Sequence, residues 1–439
     1  MTADRFRYEG YEVDAGRDRL LCSYSLGSYH FVEETVFDAG GDWSTPAVDA
    51  TARLLFLLAG VSYYKTMAPP VIDFGTTALS ESEAHLLRHF YRDGLGEFAY
   101  RNGLDLSGVE LEFEPASAHH RVEYRPPSGR PLVPFGGGID SIVTAETVRA
   151  RFGAARLFVV SAGGSRFDAI EGAARLTGMP VVRANRTIDP QLLRADALGF
   201  RLGHVPITGI ISAVAAMAAV LGGHDAVVMS NEWSASFGSR QIDGRWVNHQ
   251  YSKSDEFERA LRAALAEAIG GGLRYFSLLR PFSELWVAQR FATLARYHSV
   301  FHSCNRAFAT DPARRLTRWC GTCDKCCFID LILAPFLPAA ALDELFAGHE
   351  PLRRAELVGQ FRALVGLDAA KPFECVGDVG ECRAALALAA AREDRGSDSL
   401  LQSLAAGTPA PSPAEIQRLL APMGEHAVPD AYAPDDLLV

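Results

Sequence analysis

Residues 131–141, PLVPFGGGIDS, open the part of the chain that decides the fold. They join a short apolar run to a glycine loop, which leads into an amphipathic helical pattern. Three more apolar runs, ARLFVVSA (155–162), PVVRAN (180–185) and DAVVMS (225–230), alternate with further helical patterns. Strands and helices in alternation are typical of a parallel sheet with helices on both faces. We therefore predict an α/β fold whose ligands lie at the carboxyl ends of the strands.

The flanking regions predict two further domains. Residues 1–130 mix aromatic, β-rich runs with the apolar helical run TPAVDATARLLFLLAG, which indicates an α+β domain that ends in the turn-forming cluster EYRPPSGRP. Residues 131–335 contain the α/β domain and a cysteine cluster. Residues 336–439 are predicted to be a helical region with a Pro-rich tail. Ser254 is a predicted helix N-cap, and the chain after it looks mostly helical.

The composition is that of a globular protein and restricts the classes of partner. The 439 residues include 43 Lys and Arg against 53 Asp and Glu, which gives a net charge of -10. This acidic balance disfavours a nucleic-acid partner, because phosphates attract an excess of basic residues. The N-terminus lacks the apolar core of a signal peptide, and the longest apolar stretch is shorter than the roughly 20 residues that span a bilayer. We therefore expect a cytoplasmic protein without a membrane partner.

Lysine is scarce in this arginine-rich chain. Only four of the 43 basic residues are lysine, namely Lys65, Lys253, Lys325 and Lys371. Such a bias is typical of a GC-rich genome. It also singles out the four lysines, because a lysine among so many arginines can mark a site that needs a compact ammonium group.

The glycine loop after the first predicted strand suits a phosphate group. Glycines let backbone N–H groups turn inward, and the helix N-terminus behind the loop supplies a partial positive charge. A plain glycine turn between strand and helix is the alternative. The residues that we expect to contact nucleotide are Gly136, Gly137, Gly138, Asp140, Ser141 and, at the end of the next strand, Ser161.

This loop resembles the Ser-Gly-Gly-x-Asp-Ser pyrophosphate loop of the N-type ATP pyrophosphatases. Gly136 stands where those enzymes usually have Ser, which removes one hydroxyl contact but leaves the backbone cradle. The resemblance implies that ATP is cleaved to AMP and pyrophosphate while a substrate is adenylated. It also implies that Asp140 orients Mg²⁺ or the loop and that Ser141 contacts phosphate.

The cysteine cluster predicts a structural zinc site. Four thiolates in the pattern Cys304, then Cys320-x-x-Cys323-x-x-Cys326, suit tetrahedral Zn²⁺ and leave no open coordination position. The segment is similar to the zinc site of 7-cyano-7-deazaguanine synthases, which also carry the pyrophosphatase loop. An iron–sulfur cluster and four reduced thiols are the alternatives.

Polar segments at or after the predicted strand ends supply candidates for substrate binding. The fourth predicted strand runs into SNEWSAS (230–236), and NHQYSKS (248–254) precedes a helix. Two other dense polar and aromatic segments, SYYK (62–65) and KPFECVG (371–377), contain lysines. An ordinary polar loop is the alternative for SNEWSAS. The predicted substrate-binding residues are Lys65, Asn231, Trp233, Ser234, Tyr251 and Lys371.

The order of these segments resembles that of the epimerases that act on UDP-N-acetylmuramoyl-L-alanyl-L-glutamate, from Lys65 through the glycine loop and the cysteine cluster to Cys375. The resemblance implies an isomerase that inverts the terminal L-Glu to D-Glu through an acyl-adenylate, during synthesis of the peptidoglycan precursor for the cell wall. It implies ATP and Mg²⁺ as cofactors, the UDP-linked dipeptide as substrate, and functional coupling to the ligase that adds L-Glu.

The implied reaction needs a base, an acid and a group that stabilises phosphate charge. Adenylation removes the carboxylate charge that otherwise makes the neighbouring α-proton barely acidic, after which a base takes the proton and an acid returns one on the opposite face. Lys253 is the candidate that stabilises phosphate charge, with a solvated lysine as the alternative. The sequence does not show which two of the candidates act as the bases. For Cys375 and Cys382, a buried structural role is the alternative. The predicted catalytic residues are Glu232, His249, Lys253, Cys375 and Cys382.

Two other functions fit the same motifs. An adenylating ligase or synthase of the pyrophosphatase-loop type would form AMP but leave the stereocentre intact. A nucleotide-binding regulator would bind ATP without turning it over.

Overall fold

The structure is a computed structural model that describes residues 3–116, 122–238, 240–242, 244–309, 312–368 and 371–435. The strands are β1 (Arg5–Asp14), β2 (Arg19–Leu26), β3 (Tyr29–Phe37), β4 (Val71–Asp73), β5 (Glu110–Glu112), β6 (Pro131–Pro134), β7 (Arg156–Ala162), β8 (Val181–Thr187), β9 (Ala226–Met229), β10 (Arg240–Ile242), β11 (Arg245–Val247) and β12 (Arg274–Ser277).

The helices follow the patterns read from the sequence in the central region. They are α1 (Pro46–Ala59), α2 (Val61–Tyr64), α3 (Glu81–Arg92), α4 (Gly96–Asn102), α5 (Ile139–Arg151), α6 (Asp168–Thr177), α7 (Ala195–Leu198), α8 (Ile207–Gly222), α9 (Asp255–Ile269), α10 (Glu284–Ala292), α11 (Asp324–Leu333), α12 (Ala339–Leu345), α13 (Val358–Leu364), α14 (Val379–Ala390), α15 (Ser399–Gly407) and α16 (Pro413–Leu419). In the described ranges none of them is both long enough and apolar enough to cross a bilayer.

Ten strands form one mixed sheet in the order β12-β9-β6-β7-β8-β3-β2-β1-β4-β5, and β10 and β11 form a separate hairpin. The five strands from β12 to β8 are parallel, as are β1, β4 and β5, whereas β3 pairs antiparallel with both β8 and β2. The α/β class with a large, mostly parallel sheet is confirmed. The sheet is continuous across residue 130, and the predicted domain divisions at 130 and 335 stay predictions.

The region after Ser254 contains one element that the sequence pattern did not predict. β12 is only four residues long, yet it pairs parallel with β9 at the edge of the sheet. Ser254 itself is the N-cap of α9, as predicted, because its side chain accepts a hydrogen bond from the backbone N–H of Phe257.

The sheet separates two apolar cores. Neighbouring residues of a strand point to opposite faces, so Leu132 and Val227 contribute to one core while Val133 and Val228 contribute to the other. Helices α1, α3, α8 and α9 cover the first face, and α5, α6, α10, α11 and α14 cover the second. The C-terminal tail closes one edge, where Tyr432 stacks on Phe152 with ring centroids 4.4 Å apart.

We expect replacement of the buried Arg395 to destabilise the C-terminal region. Its guanidinium group has no accessible surface and forms ion pairs with Glu350 and Asp398. Arg395→Met leaves both carboxylates without this counter-charge, so the free energy of unfolding in urea should fall by about 3–5 kcal/mol. The control Arg362→Met removes only an exposed pair with Asp368, which contributes at most about 1 kcal/mol. Equal losses in the two variants would contradict this role.

Candidate active site

Three carboxylates meet at the carboxyl ends of neighbouring parallel strands. Asp140 follows β6, Glu232 follows β9, and Glu284 opens α10 shortly after β12. One oxygen of each lies within 4.8 Å of the others. Asp140 Oδ1, Glu232 Oε1 and Glu284 Oε2 are buried and have no hydrogen-bond partner among the described residues. Carboxylate oxygens that accept no hydrogen bond are the ligands that a hard divalent cation such as Mg²⁺ prefers.

Burial and mutual repulsion disfavour the charged forms of Asp140 and Glu284. Burial, with the nearby Glu232, raises the pKa of Asp140 to about 6. Burial and the charge of Asp140 raise the pKa of Glu284 well above its usual range. A bound cation would reverse this effect, because a positive charge stabilises the carboxylates. Sequence reasoning missed Glu284, which stands at the first position of its helix after the unpredicted strand β12.

The glycine loop directly precedes Asp140 in the chain and therefore lies beside this carboxylate cluster. Gly137 has a φ of +76°, and a Cβ atom there would lie 2.7 Å from the backbone oxygen of Ala169. Gly136 faces open space, and Gly138 is the N-cap of α5. The loop therefore needs glycine at position 137 and leaves room for a ligand at position 136.

The two serines predicted to contact nucleotide are both buried. Ser141 lies in the first turn of α5 and donates a hydrogen bond to the backbone oxygen of Gly138 at 3.1 Å. Ser161 is the penultimate residue of β7, so it belongs to the strand and not to the following loop.

A cysteine, a lysine and a histidine come together next to the carboxylates. Lys253 Nζ lies 3.5 Å from the sulfur of Cys375 and donates to Gln250 at 3.1 Å. Burial disfavours the thiolate of Cys375, but the Lys253 charge and a hydrogen bond with His249 outweigh it and lower the thiol pKa to about 7. Burial also opposes protonation of His249, but Cys375 and Glu97 raise its pKa to about 9. Between these two values the pair is a thiolate and an imidazolium.

Three further polar groups, Glu97, His204 and Lys65, lie near His249. His249 Nδ1 bonds to a carboxylate oxygen of Glu97, and His204 Nδ1 lies 3.7 Å from the same oxygen. Lys65 donates to the backbone oxygen of Gly203 at 2.8 Å, and burial lowers its pKa to about 8. Lys65 was predicted from the sequence, whereas Glu97 and His204 were not. Neither of these two lies in a recognisable motif.

A buried arginine connects the loop after β9 to the segment that carries Lys253. Arg280 donates to the backbone oxygens of Glu232 at 2.9 Å and of Lys253 at 2.6 Å. It also bonds to Ser236 at 3.2 Å and pairs with Glu258 at 3.0 Å. The sequence offered no signal for this role, because Arg280 is one of many arginines.

The remaining predicted residues occupy distinct positions. Cys382 is fully buried in α14, and burial raises its thiol pKa well above the usual range, in contrast to Cys375. Asn231 donates to Ser277 at 3.0 Å, and Trp233 packs against Phe237 with centroids 4.4 Å apart.

Two further candidates are buried hydroxyls. Ser234 and Tyr251 each carry a hydroxyl without a hydrogen-bond partner in the described chain. Lys371 lies apart from both, at the rim of an open cleft.

The four clustered cysteines lie close enough to share one metal ion. The sulfurs of Cys304, Cys320, Cys323 and Cys326 all lie within 4.8 Å of one another. Lys325, between two of them, donates to the backbone oxygen of Cys375 at 2.6 Å. The cluster is therefore connected through Lys325 to the segment that contains Cys375.

Comparisons with known proteins identify the family. The MurL N-terminal domain model matches residues 1–278, and the MurL C-terminal domain model matches residues 300–418. A protein of Xanthomonas oryzae pv. oryzae (strain MAFF 311018), named UDP-N-acetyl-alpha-D-muramoyl-L-alanyl-L-glutamate epimerase, is 39% identical over 438 residues, covering 97% of this chain and 95% of that protein. The chain belongs to this epimerase family.

A second member of the epimerase family, from Micromonospora sp. (strain ATCC 39149 / NRRL 15099 / SCC 1413), carries the same name. It is 38% identical over 441 residues, which cover 98% of this chain and 97% of that protein. The family predicted from the order of sequence segments is thus confirmed, and so is the enzyme class, an epimerase among the isomerases.

The ionisation of Cys375 can be measured directly. We expect the rate of iodoacetamide labelling at Cys375, followed by peptide mass spectrometry, to rise through a midpoint near pH 7, because the thiolate is the nucleophile and its pKa is about 7. Lys253→Met or His249→Gln removes a stabilising positive charge and should move the midpoint upward.

The fully buried Cys382 is the internal control and should stay unlabelled in the folded enzyme. A Cys375 midpoint at or above the usual thiol range in the unsubstituted chain would show that the ion pair does not form.

Proposed function

We propose that this chain inverts the terminal L-Glu of UDP-N-acetylmuramoyl-L-alanyl-L-glutamate to D-Glu, in synthesis of the peptidoglycan precursor. The names of its relatives support the substrate and the type of reaction. The observation that carries the proposal is the Cys375 thiol between Lys253 and His249, near the glycine loop and three carboxylates. A base next to a site for nucleotide is what an activated epimerisation needs.

The glycine loop is proposed to hold the phosphates of ATP while the substrate is activated. We propose that the glutamyl α-carboxylate attacks ATP, which forms an acyl-adenylate and releases pyrophosphate. The backbone N–H groups of residues 136–138 and the N-terminus of α5 would hold the phosphates. Lys253 would stabilise negative charge as the bond to pyrophosphate breaks. The α-proton becomes acidic because the neighbouring group no longer carries a full negative charge.

The carboxylate cluster fits Mg²⁺. Asp140, Glu232 and Glu284 supply three buried oxygens without other partners. When bound there, the ion would neutralise phosphate charge during adenylation. This assigns Glu232, a candidate base in the sequence, to the nucleotide side of the site.

Cys375 is the proposed base, and His249 keeps its thiol ionised. The thiolate of Cys375 takes the α-proton, and the electron pair moves into the activated carbonyl to give an enolate-like intermediate. A proton from solvent then returns to the opposite face of the same carbon, which inverts the stereocentre; His249 does not lie on that face, because its ring is hydrogen-bonded to the Cys375 sulfur. Water hydrolyses the adenylate, which releases AMP and the D-glutamyl product. Glu97 holds the imidazole ring in place by its bond to Nδ1.

Incubation of the enzyme in D₂O tests this proposal. Enzyme, ATP, Mg²⁺ and UDP-N-acetylmuramoyl-L-alanyl-L-glutamate should give AMP and one deuterium at the glutamyl α-carbon, and omission of ATP or Mg²⁺ should remove both. Lys253→Met should slow AMP formation by about 100-fold or more, since it removes charge stabilisation in the transition state, with a much smaller effect on ATP binding.

The matched control is Arg259→Met, which removes an exposed cation from the helix that follows Lys253. It should leave both products unchanged. Absence of AMP and of deuterium with the unsubstituted enzyme would refute the proposal. AMP formation that requires an added amine and leaves the α-proton in place would indicate a ligase instead.

The cysteine cluster is proposed to hold one structural Zn²⁺. Elemental analysis of freshly purified enzyme should find about one zinc per chain, because four sulfurs fill a tetrahedral site. Cys323→Ser should lose the metal and lower the unfolding temperature. Cys22→Ser, which changes a buried cysteine outside the cluster, is the control and should retain the zinc. Purified enzyme without zinc would refute the site, and iron in its place would indicate a cluster of a different kind.

A further inference from the structure

An open cleft lies between the β10–β11 hairpin and the start of α14. It has a volume of about 1030 Å³ and is lined by Tyr100, Phe237, Arg240, Trp246 and Lys371, among others. We call it the hairpin cleft. Nothing in the adenylation chemistry requires it, and its size suits a large polar ligand better than a single amino acid.

Two cations of the hairpin cleft have no carboxylate partner among the described residues. Arg240 Nε donates to the backbone oxygen of Lys371 at 2.8 Å, and its guanidinium lies 4.6 Å from the ring centre of Phe373. These contacts hold Arg240 in place without neutralising it. The acidic groups of the cleft are already engaged: Asp368 pairs with Arg362 at 2.9 Å, and Asp378 caps α14. An acidic protein thus presents two neighbouring free cations in one cleft, which suits an anion such as a diphosphate.

The cleft also contains the exposed aromatic side chains. Among the described Phe, Tyr and Trp residues, only Tyr100, Phe237 and Trp246 are exposed, and all three line the hairpin cleft. Trp246 is 66% exposed. Exposed rings are the surfaces on which nucleobases stack. Cations and aromatic rings in one cleft therefore match a nucleoside diphosphate.

The position of the hairpin cleft relative to Cys375 suits the part of the substrate that lies far from the glutamyl α-carbon. Lys371 and Phe373 belong to the same short segment as Cys375, and the Phe373 ring centre lies 6.5 Å from that of His249. In the substrate, the muramoyl group and alanine separate the diphosphate from the glutamyl α-carbon. A diphosphate site must therefore lie near Cys375 but not in contact with it, as the hairpin cleft does.

We propose that the hairpin cleft binds the uridine diphosphate part of the substrate, with Arg240 and Lys371 on the diphosphate and Trp246 on the uracil ring. The proposal rests on the proposed function for the identity of the ligand. It assigns Arg240 and Trp246 a role in substrate specificity, because a dipeptide without the nucleotide cannot use these contacts.

Competition with UDP tests this assignment. UDP should inhibit epimerisation competitively with the UDP-linked substrate, and calorimetry should detect its binding to the intact enzyme. Arg240→Met and Lys371→Met should each raise the KM for substrate and the dissociation constant of UDP by about tenfold, with little change in kcat, because they remove charge-assisted contacts to the diphosphate. Trp246→Ala should weaken UDP binding by about fivefold or more through lost stacking.

Arg245→Met is the matched control, since Arg245 lies on the same hairpin but lines the neighbouring cleft. It should leave UDP affinity unchanged, and Arg240→Lys should retain more affinity than Arg240→Met. Unchanged KM and UDP affinity in the Arg240 and Lys371 variants of an active enzyme would overturn the cleft assignment while leaving the proposed function intact. UDP binding that depends on Arg240 in an enzyme that forms neither AMP nor deuterated product would support the cleft and refute the proposed function.

Discussion

The buried guanidinium of Arg280 connects the segments that carry Glu232 and Lys253. Removing a guanidinium from water costs several kcal/mol unless its donors are satisfied, and here the donors bind the backbone at Glu232 and Lys253, a serine hydroxyl and the Glu258 carboxylate. Because two of these acceptors are backbone oxygens, the arginine holds the main chain at both positions. The main chain at Glu232 and the main chain at Lys253 are therefore held in a fixed position relative to each other.

From this fixed point the charges alternate across the site. The carboxylate cluster lies near Lys253, Lys253 lies next to the Cys375 sulfur, and His249 connects that sulfur to Glu97. The thiolate of Cys375 and the imidazolium of His249 are each stabilised by a neighbour of opposite sign, and burial strengthens these interactions because little water screens them. The same arrangement accounts for a thiol that ionises near neutral pH. In the proposed function this thiolate is the base that takes the α-proton.

The sequence predicted features that depend on short spacing. The glycine loop, the cysteine cluster and the helix cap at Ser254 each lie within a few residues or tens of residues, so their geometry can be inferred from the pattern. Glu284 was missed because β12, the strand that precedes it, is too short to show the alternation of apolar and polar residues that predicts a strand.

Contacts between distant segments were also missed. Glu97 bonds to His249 across 152 positions, and the pKa of Cys375 depends on Lys253, which is 122 positions away. Only tertiary structure brings such groups together. The four lysines were a useful signal, since Lys253 and Lys325 contact Cys375, while Lys65 lies near the histidines and Lys371 lines the hairpin cleft.

The central claim is that Cys375 acts on a glutamate that has already been activated. The most direct measurement traps the activated substrate with hydroxylamine in the Cys375→Ala variant, supplied with ATP, Mg²⁺ and the UDP-linked dipeptide. The account predicts that this variant accumulates the glutamyl hydroxamate in the L configuration only, because adenylation proceeds while proton abstraction does not. Formation of the D-glutamyl product by this variant at the unsubstituted rate would contradict the account.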